Sequence, residues 1–216
     1  GGYLVNGLES RVGFKAVNDL GLGFDIEGKI LDNKKKIIST ISSQHLGMGA
    51  FSFVPEKGKK YHAEVLVANG KDYRFNLPEV QESGYVLRVL ENRDRQLRLN
   101  IASTVSDANV MVACHMRGNV IYREQVKLVN GERTLDIPLS GAPSGILHVT
   151  LFDDQREPRC ERLIYNRSED LLRIAVLRQK STFKPREKVD ISLMVMDQQS
   201  RPVAGNFSLA VSDRDL

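Results

Sequence analysis

The sequence contains no tryptophan, only two cysteines and no long hydrophobic run. Without roughly 20 consecutive apolar residues, no segment is predicted to cross a membrane as a helix. Cys114 and Cys160 cannot build a disulfide framework, and neither has a spacing typical of zinc ligands. Their strand-like surroundings favour two separate buried thiols over one bridge between two strands.

Clustered charge of one sign is also missing. The 216 residues include 31 Lys and Arg against 27 Asp and Glu, and the two signs are interspersed. Nucleic-acid-binding faces use clustered basic residues and stacking aromatics, so nucleic acid is not predicted as a partner. The densest basic runs, at 34–36, 57–60 and 93–98, are predicted to be solvated hairpin tips.

Motifs for catalysis, metals and cofactors are absent as well. No G-x-S-x-G elbow is present, and the pair Asp153-Asp154 is typical of a hairpin turn rather than of a calcium loop. Zinc requires several converging ligands, whereas the histidines are scattered one per strand or turn, at His45, His62, His115 and His148. The sequence therefore predicts a non-enzymatic protein without cofactor or metal.

What the sequence does contain is short runs in which hydrophobic and polar residues alternate. One run places Val12, Phe14 and Ala16 on one face, and another does the same with Phe51 and Phe53. This period is typical of half-buried strands. Turn signals such as Asn130-Gly131 recur at intervals of roughly 8–12 residues. The pattern predicts an all-β chain of tandem antiparallel β-sandwiches of the immunoglobulin or fibronectin-III type.

The stretch Gly47-Met48-Gly49 invites comparison with a glycine-rich phosphate loop. Such a loop needs a helix after its glycines, so that backbone N–H groups at the helix N-terminus meet the anion. Here an alternating strand follows, predicted over 50–54 and ended by Pro55. We therefore predict a structural turn, with Gly47 and Gly49 supplying positive φ or close backbone approach and Met48 tucked against the sandwich.

The order of strands and turns suggests three domains: a sandwich over 1–82, a second over 83–168 and part of a third over 169–216. A quasi-repeat relates residues 10–32 to 187–213, each ending in an aspartate, Asp32 and Asp213. The segment 78–83 is predicted to be a linker turn. A sandwich needs about 100 residues, so the last domain is expected to be incomplete and the chain to be a piece of a larger protein.

Several segments resemble macroglobulin-like domains of bacterial alpha-2-macroglobulin-type envelope proteins, some of which carry TonB-receptor-plug-like regions downstream. The resemblance rests on the Gly-x-Gly-x-Phe-x-Phe-x-Pro run from Gly47 to Pro55, on the runs 150–153 and 161–163, and on Phe183-Lys184-Pro185 before a strand. In the last motif Arg186 replaces the usual glycine. The resemblance implies macroglobulin-type sandwiches in series, exported to the periplasm or outer membrane. Neither cysteine has the Cys-Gly-Glu-Gln context of a thioester, so covalent protease trapping is not implied.

The expected function is that of a scaffold and protein-interaction segment. Because neighbouring strand residues face opposite sides, one of Glu161 and Arg162 is expected at an interface, and we favour Arg162. The incomplete third domain is expected to obtain its missing strands from downstream sequence or from a second copy in a strand-swapped homodimer, or else to be partly disordered. The alternative is a carbohydrate-binding module, which an exposed platform at Tyr3, Tyr73 or Tyr85 would favour, whereas an apolar edge would favour protein.

Overall fold

The computed structural model describes residues 2–66, 72–167, 171–178 and 182–212. Within these ranges the chain is built from strands and turns alone, which confirms the predicted all-β class. No helix there is long and apolar enough to cross a membrane. Two features of the sequence predictions lie outside the described ranges: the domain boundary at 168–169 and Asp213.

The chain divides into two compact units, Gly1–Asn166 and Arg167–Leu216. Seventeen strands are formed in the described residues: β1 Leu4–Val5, β2 Ser10–Lys15, β3 Glu27–Asp32, β4 Ile37–Ser42, β5 Met48–Phe53, β6 Tyr61–Leu66, β7 Asp72–Asn76, β8 Val80–Gln81, β9 Tyr85–Arg93, β10 Gln96–Ser103, β11 Asn109–Met116, β12 Asn119–Lys127, β13 Glu132–Pro138, β14 Gly145–Phe152, β15 Pro158–Asn166, β16 Arg173–Arg178 and β17 Ile191–Met196.

Strands β1 to β8 form the first sandwich of the larger unit. A four-stranded sheet in the order β4-β3-β6-β7 faces a two-stranded sheet, β2-β5. The core between them includes Ile30, Phe51, Phe53, Tyr61 and Val65. Phe51 and Phe53 stack with ring centroids 5.9 Å apart, as their shared face in the sequence predicts.

Strands β9 to β15 form the second sandwich. A three-stranded sheet in the order β13-β10-β9 faces a four-stranded sheet, β12-β11-β14-β15. Three of its connections turn through two residues with positive φ: Asp94-Arg95 and Arg117-Gly118 within hairpins, and Asn130-Gly131 between β12 and β13 of opposite sheets. Such turns match the right-handed twist of the strands they connect. The antiparallel sandwich prediction is confirmed here, and the basic residues at 93–98 do lie around a hairpin tip.

Two elements differ from the sequence predictions in the larger unit. The segment 78–83, predicted to be a linker turn, contains β8, which pairs in parallel with β1. Strand β9 was not predicted, because its residues do not alternate between buried and exposed: Val86 and Leu87 are neighbours and both are buried. Its pairing with β10 also shifts register between Arg98 and Leu99. A bulge of this kind breaks the alternation by which strands are found in a sequence.

One type of turn, begun by an aspartate, occurs three times among the described residues. Oδ1 of Asp32 accepts hydrogen bonds from the backbone N–H groups two and four residues later, and Asp153 does the same. Asp197 begins a third turn and accepts from the N–H of Arg201 at 2.9 Å. The third residue after each aspartate has a φ of 61–66°. The same turn therefore follows Asp32, Asp153 and Asp197, whereas Asp213, with which the sequence repeat aligns Asp32, lies outside the described residues.

The turn at Asp153 predicts a specific dependence of stability on acid. Burial raises the pKa of Asp153, but the Glu157 N–H and the Arg159 guanidinium outweigh it and hold the pKa below its ordinary value. Because its pKa is lower in the folded state, the ionised Asp153 carboxylate stabilises the fold at pH values above the unfolded-state pKa of about 3.9. This contribution to stability is lost as the pH falls through the folded-state pKa. For Asp153→Asn, which keeps the Oδ1 acceptor, we expect a melting temperature that falls less steeply than that of the wild type below about pH 4.

Thermal melts followed by circular dichroism from neutral pH downward would measure this slope. Asp154→Asn is the matched control, since Asp154 is exposed in the same turn. Equal slopes for Asp153→Asn and the wild type would contradict the prediction.

The smaller unit contains one hairpin, β16 paired with β17, in its described residues. The alternation of apolar and polar residues over 207–213 predicts a further strand, but 207–212 are not in a strand, and Phe207, Leu209 and Val211 are exposed. Alternation by itself does not make a strand, because a strand also needs a hydrogen-bonded neighbour and a face to cover it. Neither is supplied to this segment by the described residues.

Candidate functional site

The two sheets of the first sandwich differ in width. Neighbouring strands lie about 4.8 Å apart, so a two-stranded sheet can cover only half of a four-stranded one. β5 follows β4 in the chain and packs beside it, which leaves β7 at the far side of the larger sheet. Within the described residues, no strand faces β7.

The side of β7 that faces the core carries two exposed aromatic residues. Tyr73 pairs with Val65 and Phe75 with Ala63, and Val65 and Ala63 are both buried. Residues directly opposite on paired strands project from the same face, so Tyr73 and Phe75 lie on the inner face. They nevertheless remain 44% and 57% exposed, with ring centroids 6.4 Å apart. The inner face of β7 is therefore uncovered.

A cleft opens between β2 and β7 at this place. Its volume is about 750 Å³, within the range of about 300–1,000 Å³ that small-molecule sites have. Its walls are mainly apolar and reach the core of the sandwich. They include Phe14, Phe51, Val65, Tyr73, Phe75 and Leu77, with Lys15, Asp19 and Asn76 among the polar lining residues. We call this the β2–β7 cleft.

An exposed loop extends the apolar surface beside the cleft. Val17, Asn18 and Asp19 line the cleft, and the side chain of Asn18 accepts hydrogen bonds from the backbone N–H groups of Leu20 and Leu22. Both leucines are exposed, Leu20 to 83%. Exposed apolar patches mark surfaces that bind other molecules, so the loop and the cleft together form the candidate binding site.

The second sandwich shows what covers the corresponding surface there. Ile164 and Cys160 of β15 face inward like the β7 aromatics, but both are buried. Strand β9 lies against them: the Cys160 thiol donates to the carbonyl oxygen of Tyr85 at 3.2 Å. β9 reaches this position by pairing with the edge of β10. No described strand takes the equivalent place beside β2.

The stretch Gly47-Met48-Gly49 lies at a tight turn into β5. Gly47 is buried with φ +75°, and a Cβ atom there would lie 2.1 Å from the carbonyl oxygen of Ala16. At Gly49 a Cβ atom would lie 2.3 Å from the Phe14 ring. Gly47 thus combines positive φ with close backbone approach, and Gly49 has close approach alone.

The surroundings of this turn correct one expectation. Met48 was expected to be tucked against the sandwich, but it is 42% exposed. The reason is the strand alternation: Met48 begins β5, and its alternate neighbours Ala50 and Ser52 lie on the outer side, opposite Phe51 and Phe53. Pro55 is buried just after the strand and accepts the Gly7 N–H at 2.8 Å.

Of the predicted interface pair, Arg162 faces inward and Glu161 outward on β15. The Nε of Arg162 donates to the carbonyl oxygen of Leu87 at 3.1 Å, and its Nη2 donates to the carbonyl oxygen of Arg11 at 3.3 Å. Arg11 lies on β2, so the guanidinium joins the two sandwiches. Burial lowers the pKa of the Arg162 guanidinium from its ordinary value. An ion pair between Arg88 and Glu9 also links the two sandwiches.

Glu161 belongs to a cluster that the sequence did not suggest. His115 and His148 lie directly opposite each other on β11 and β14, with ring centroids 4.6 Å apart. Nδ1 of His148 lies 2.8 Å from Oε1 of Glu161. Because the two imidazole rings are stacked, their nitrogen atoms do not point toward a common position where a metal ion could bind. In the described part of the chain, no group of three His, Cys, Asp or Glu residues could hold a metal ion.

Both cysteines are free and buried. Burial raises the pKa of Cys114 to about 12 and that of Cys160 to about 11. Nucleophilic cysteines need a lowered pKa, because the thiolate is the reactive form. The two thiols therefore have the character of packing groups.

Comparisons with known proteins identify no family for this chain. No protein-family model and no curated protein matches it. Among solved structures, the native conformation of E. coli alpha-2-macroglobulin matches 92% of this chain and 16% of its own length, at 9% identity and a TM-score of 0.29. A biofilm-associated protein, described as a BSP domain, matches 77% of this chain and 29% of its own, at 12% identity and a TM-score of 0.37. With both TM-scores below 0.5, these matches decide neither family nor function, and what the structure establishes is a tandem antiparallel β-sandwich protein.

Proposed function

We propose that this chain is a non-enzymatic scaffold and protein-interaction segment of an exported alpha-2-macroglobulin-like envelope protein, acting in the periplasm or at the outer membrane. The family and the location rest on the residues of the sequence resemblance. Arg186 supports that resemblance, because it stands where the related motif has glycine and its φ is +63°. Glycine is the residue that adopts positive φ without steric cost.

The β2–β7 cleft is the observation that carries the binding function. Monomeric proteins rarely leave a large apolar surface uncovered unless something binds it. The cleft walls combine Tyr73 and Phe75 with aliphatic core residues, and the rim adds Leu20 and Leu22. The exposure of Tyr73 is what a glycan site would also show, but the polar residues of the cleft are outnumbered by apolar ones. The predominance of apolar lining favours a protein partner over a glycan.

The character of the two cysteines supports a non-enzymatic role. The raised pKa values of Cys114 and Cys160 oppose thiolate chemistry. Neither cysteine has the sequence context of a thioester. The described residues form a binding surface, the β2–β7 cleft, rather than a site for thiolate chemistry.

Site-directed photo-crosslinking tests the proposed function. A photoreactive phenylalanine analogue at Phe75 should capture one or a few proteins from an envelope extract of the source organism. The matched control places the analogue at Tyr165, which is equally exposed at 57% but lies on β15 of the second sandwich. Capture from Phe75 alone, unchanged by added polysaccharide, is the expected result. Equal capture from both positions, or capture abolished by polysaccharide, would contradict a protein site in the cleft.

We further propose that the smaller unit pairs with a second copy of the chain. Apolar residues are exposed all along its hairpin, including Ile174, Val176, Ile191 and Leu193. Pairing would bury these residues, and burial of apolar surface contributes about 25 cal/mol per Å². Light scattering should therefore show a dimer of the full chain and a monomer after deletion of the residues beyond Arg167. A monomeric full chain with a protease-resistant smaller unit would contradict the pairing.

A further inference from the structure

We propose that the β2–β7 cleft binds an extended strand of a protein partner, laid along the free edge of β2, with apolar residues at alternate positions and acidic residues between them. This inference rests on the proposed interaction function and specifies the chemistry of the partner. Three features support this inference: two belong to the first sandwich and one to the second.

The first feature is an unpaired backbone edge. In an antiparallel pair, alternate residues exchange their hydrogen bonds with the neighbouring strand while the residues between them direct N–H and C=O groups away from it. The Ala16 N–H donates to the Gly47 carbonyl at 2.8 Å. With the register of β2 and β5, this means that the even-numbered residues of β2 direct their backbone N–H and C=O groups toward β5. The carbonyl of Arg11 accordingly points away from β5 and accepts from Arg162. Gly13 and Lys15 direct their backbone groups to the same edge, where no described strand pairs with them.

The second feature is the architecture of the neighbouring sandwich. There β9 lies along the edge of β10 and covers the inner face of β15. β10 pairs with β13 on its other side, as β2 pairs with β5. A strand beside β2 would therefore restore the three-plus-four arrangement of the second sandwich and cover Tyr73 and Phe75. Pockets for alternate side chains beside an open strand edge are the requirements for strand addition.

The third feature is charge. The side chains of Arg11 and Lys15 lie on the exposed outer side of β2, flanking Gly13. An added strand would turn every second side chain outward, beside these two cations. Opposite charges on neighbouring strands stabilise pairing. Carboxylates at the outward positions therefore fit β2 better than lysines do.

A short fluorescein-labelled peptide in which valine and glutamate alternate is the probe, and fluorescence anisotropy with the full chain is the measurement. Controls are a peptide of the same composition with the two residues in separate blocks, and a valine–lysine peptide. We expect the alternating acidic peptide to bind at least about tenfold more tightly than the blocked one, a difference of about 1.4 kcal/mol.

Three substitutions separate strand pairing at the β2 edge from nonspecific hydrophobic binding. Gly13→Pro removes an N–H that points to the free edge, where proline is tolerated, and should weaken binding about tenfold or more. Gly13→Ala keeps that N–H and places its Cβ 4.0 Å from the nearest atom, so it should bind as the wild type does. Phe75→Ser should weaken binding as Gly13→Pro does, and because Phe75 is exposed, this variant keeps the test informative if Gly13→Pro does not fold.

The outcomes separate this inference from the function on which it rests. Equal affinity for the alternating and blocked peptides, or unchanged binding by Gly13→Pro and Phe75→Ser, would overturn strand addition. If no peptide binds while Phe75 still captures a protein by photo-crosslinking, the interaction function stands and the strand does not. If no peptide binds and Phe75 captures no protein, both the strand-addition inference and the proposed interaction function are wrong. Concentration-dependent self-association lost in Gly13→Pro would identify a second copy as the occupant and overturn a different protein as partner.

Discussion

Gly47→Ala is expected to lower the free energy of unfolding of the first sandwich by about 3–5 kcal/mol, the sum of backbone strain and overpacking. The alanine Cβ would lie 2.1 Å from the Ala16 carbonyl oxygen and within 3.0 Å of the Phe24 backbone. Those atoms belong to the main chain and cannot move aside by a side-chain rotation. The φ of +75° at Gly47 adds the cost of a left-handed conformation. Urea unfolding followed by tyrosine fluorescence and circular dichroism would measure the loss.

Gly58→Ala is the matched control for that experiment. Gly58 has nearly the same φ, +76°, but no atom lies within 4 Å of the position its Cβ would take. The substitution therefore isolates the conformational cost, about 1–2 kcal/mol for a left-handed L-residue. Equal destabilisation by the two substitutions would show that backbone approach at Gly47 contributes nothing.

Arg162→Ala is expected to destabilise the larger unit by about 2–3 kcal/mol, because hydrogen bonds from charged groups contribute about 1.5–3 kcal/mol each and part of the loss is recovered by water. The substitution removes the donors to Leu87 and Arg11 and therefore the bridge between the two sandwiches. Faster cleavage by a glutamate-specific protease after the exposed Glu82, between the sandwiches, should accompany the lower urea midpoint.

Arg123→Ala provides the comparison, since Arg123 is exposed on β12 of the same sandwich. Surface substitutions of this kind change stability by about 0.5 kcal/mol or less. Loss of stability by Arg162→Ala without increased cleavage after Glu82 would show that the guanidinium stabilises the second sandwich alone.

The candidate site was only partly predictable from the sequence. Tyr73 was recognised as a residue whose exposure would bear on function, whereas Phe75 was not. In the sequence, phenylalanine next to alternating residues indicates an inward position, and Phe75 does lie on the inner face of its sheet. Whether an inner face is covered depends on a strand from elsewhere in the chain. The residues of the uncovered strand do not indicate whether such a covering strand exists. The pairing of His115 with His148 escaped prediction for the same reason, since the two residues meet through register.

The sequence by itself determined most of the strands and the turns between them. Period-two alternation places side chains on two faces, and pairs such as Asn130-Gly131 adopt the positive φ that tight turns between strands need. These are local properties of a few consecutive residues. Tertiary structure alone decided which strands became neighbours: it turned 80–81 into a strand beside β1, left 207–212 outside any strand, and left the edge of β2 beside the cleft without a described partner strand. Strand pairing joins distant segments through backbone groups that every residue carries, so the sequence pattern alone does not specify it.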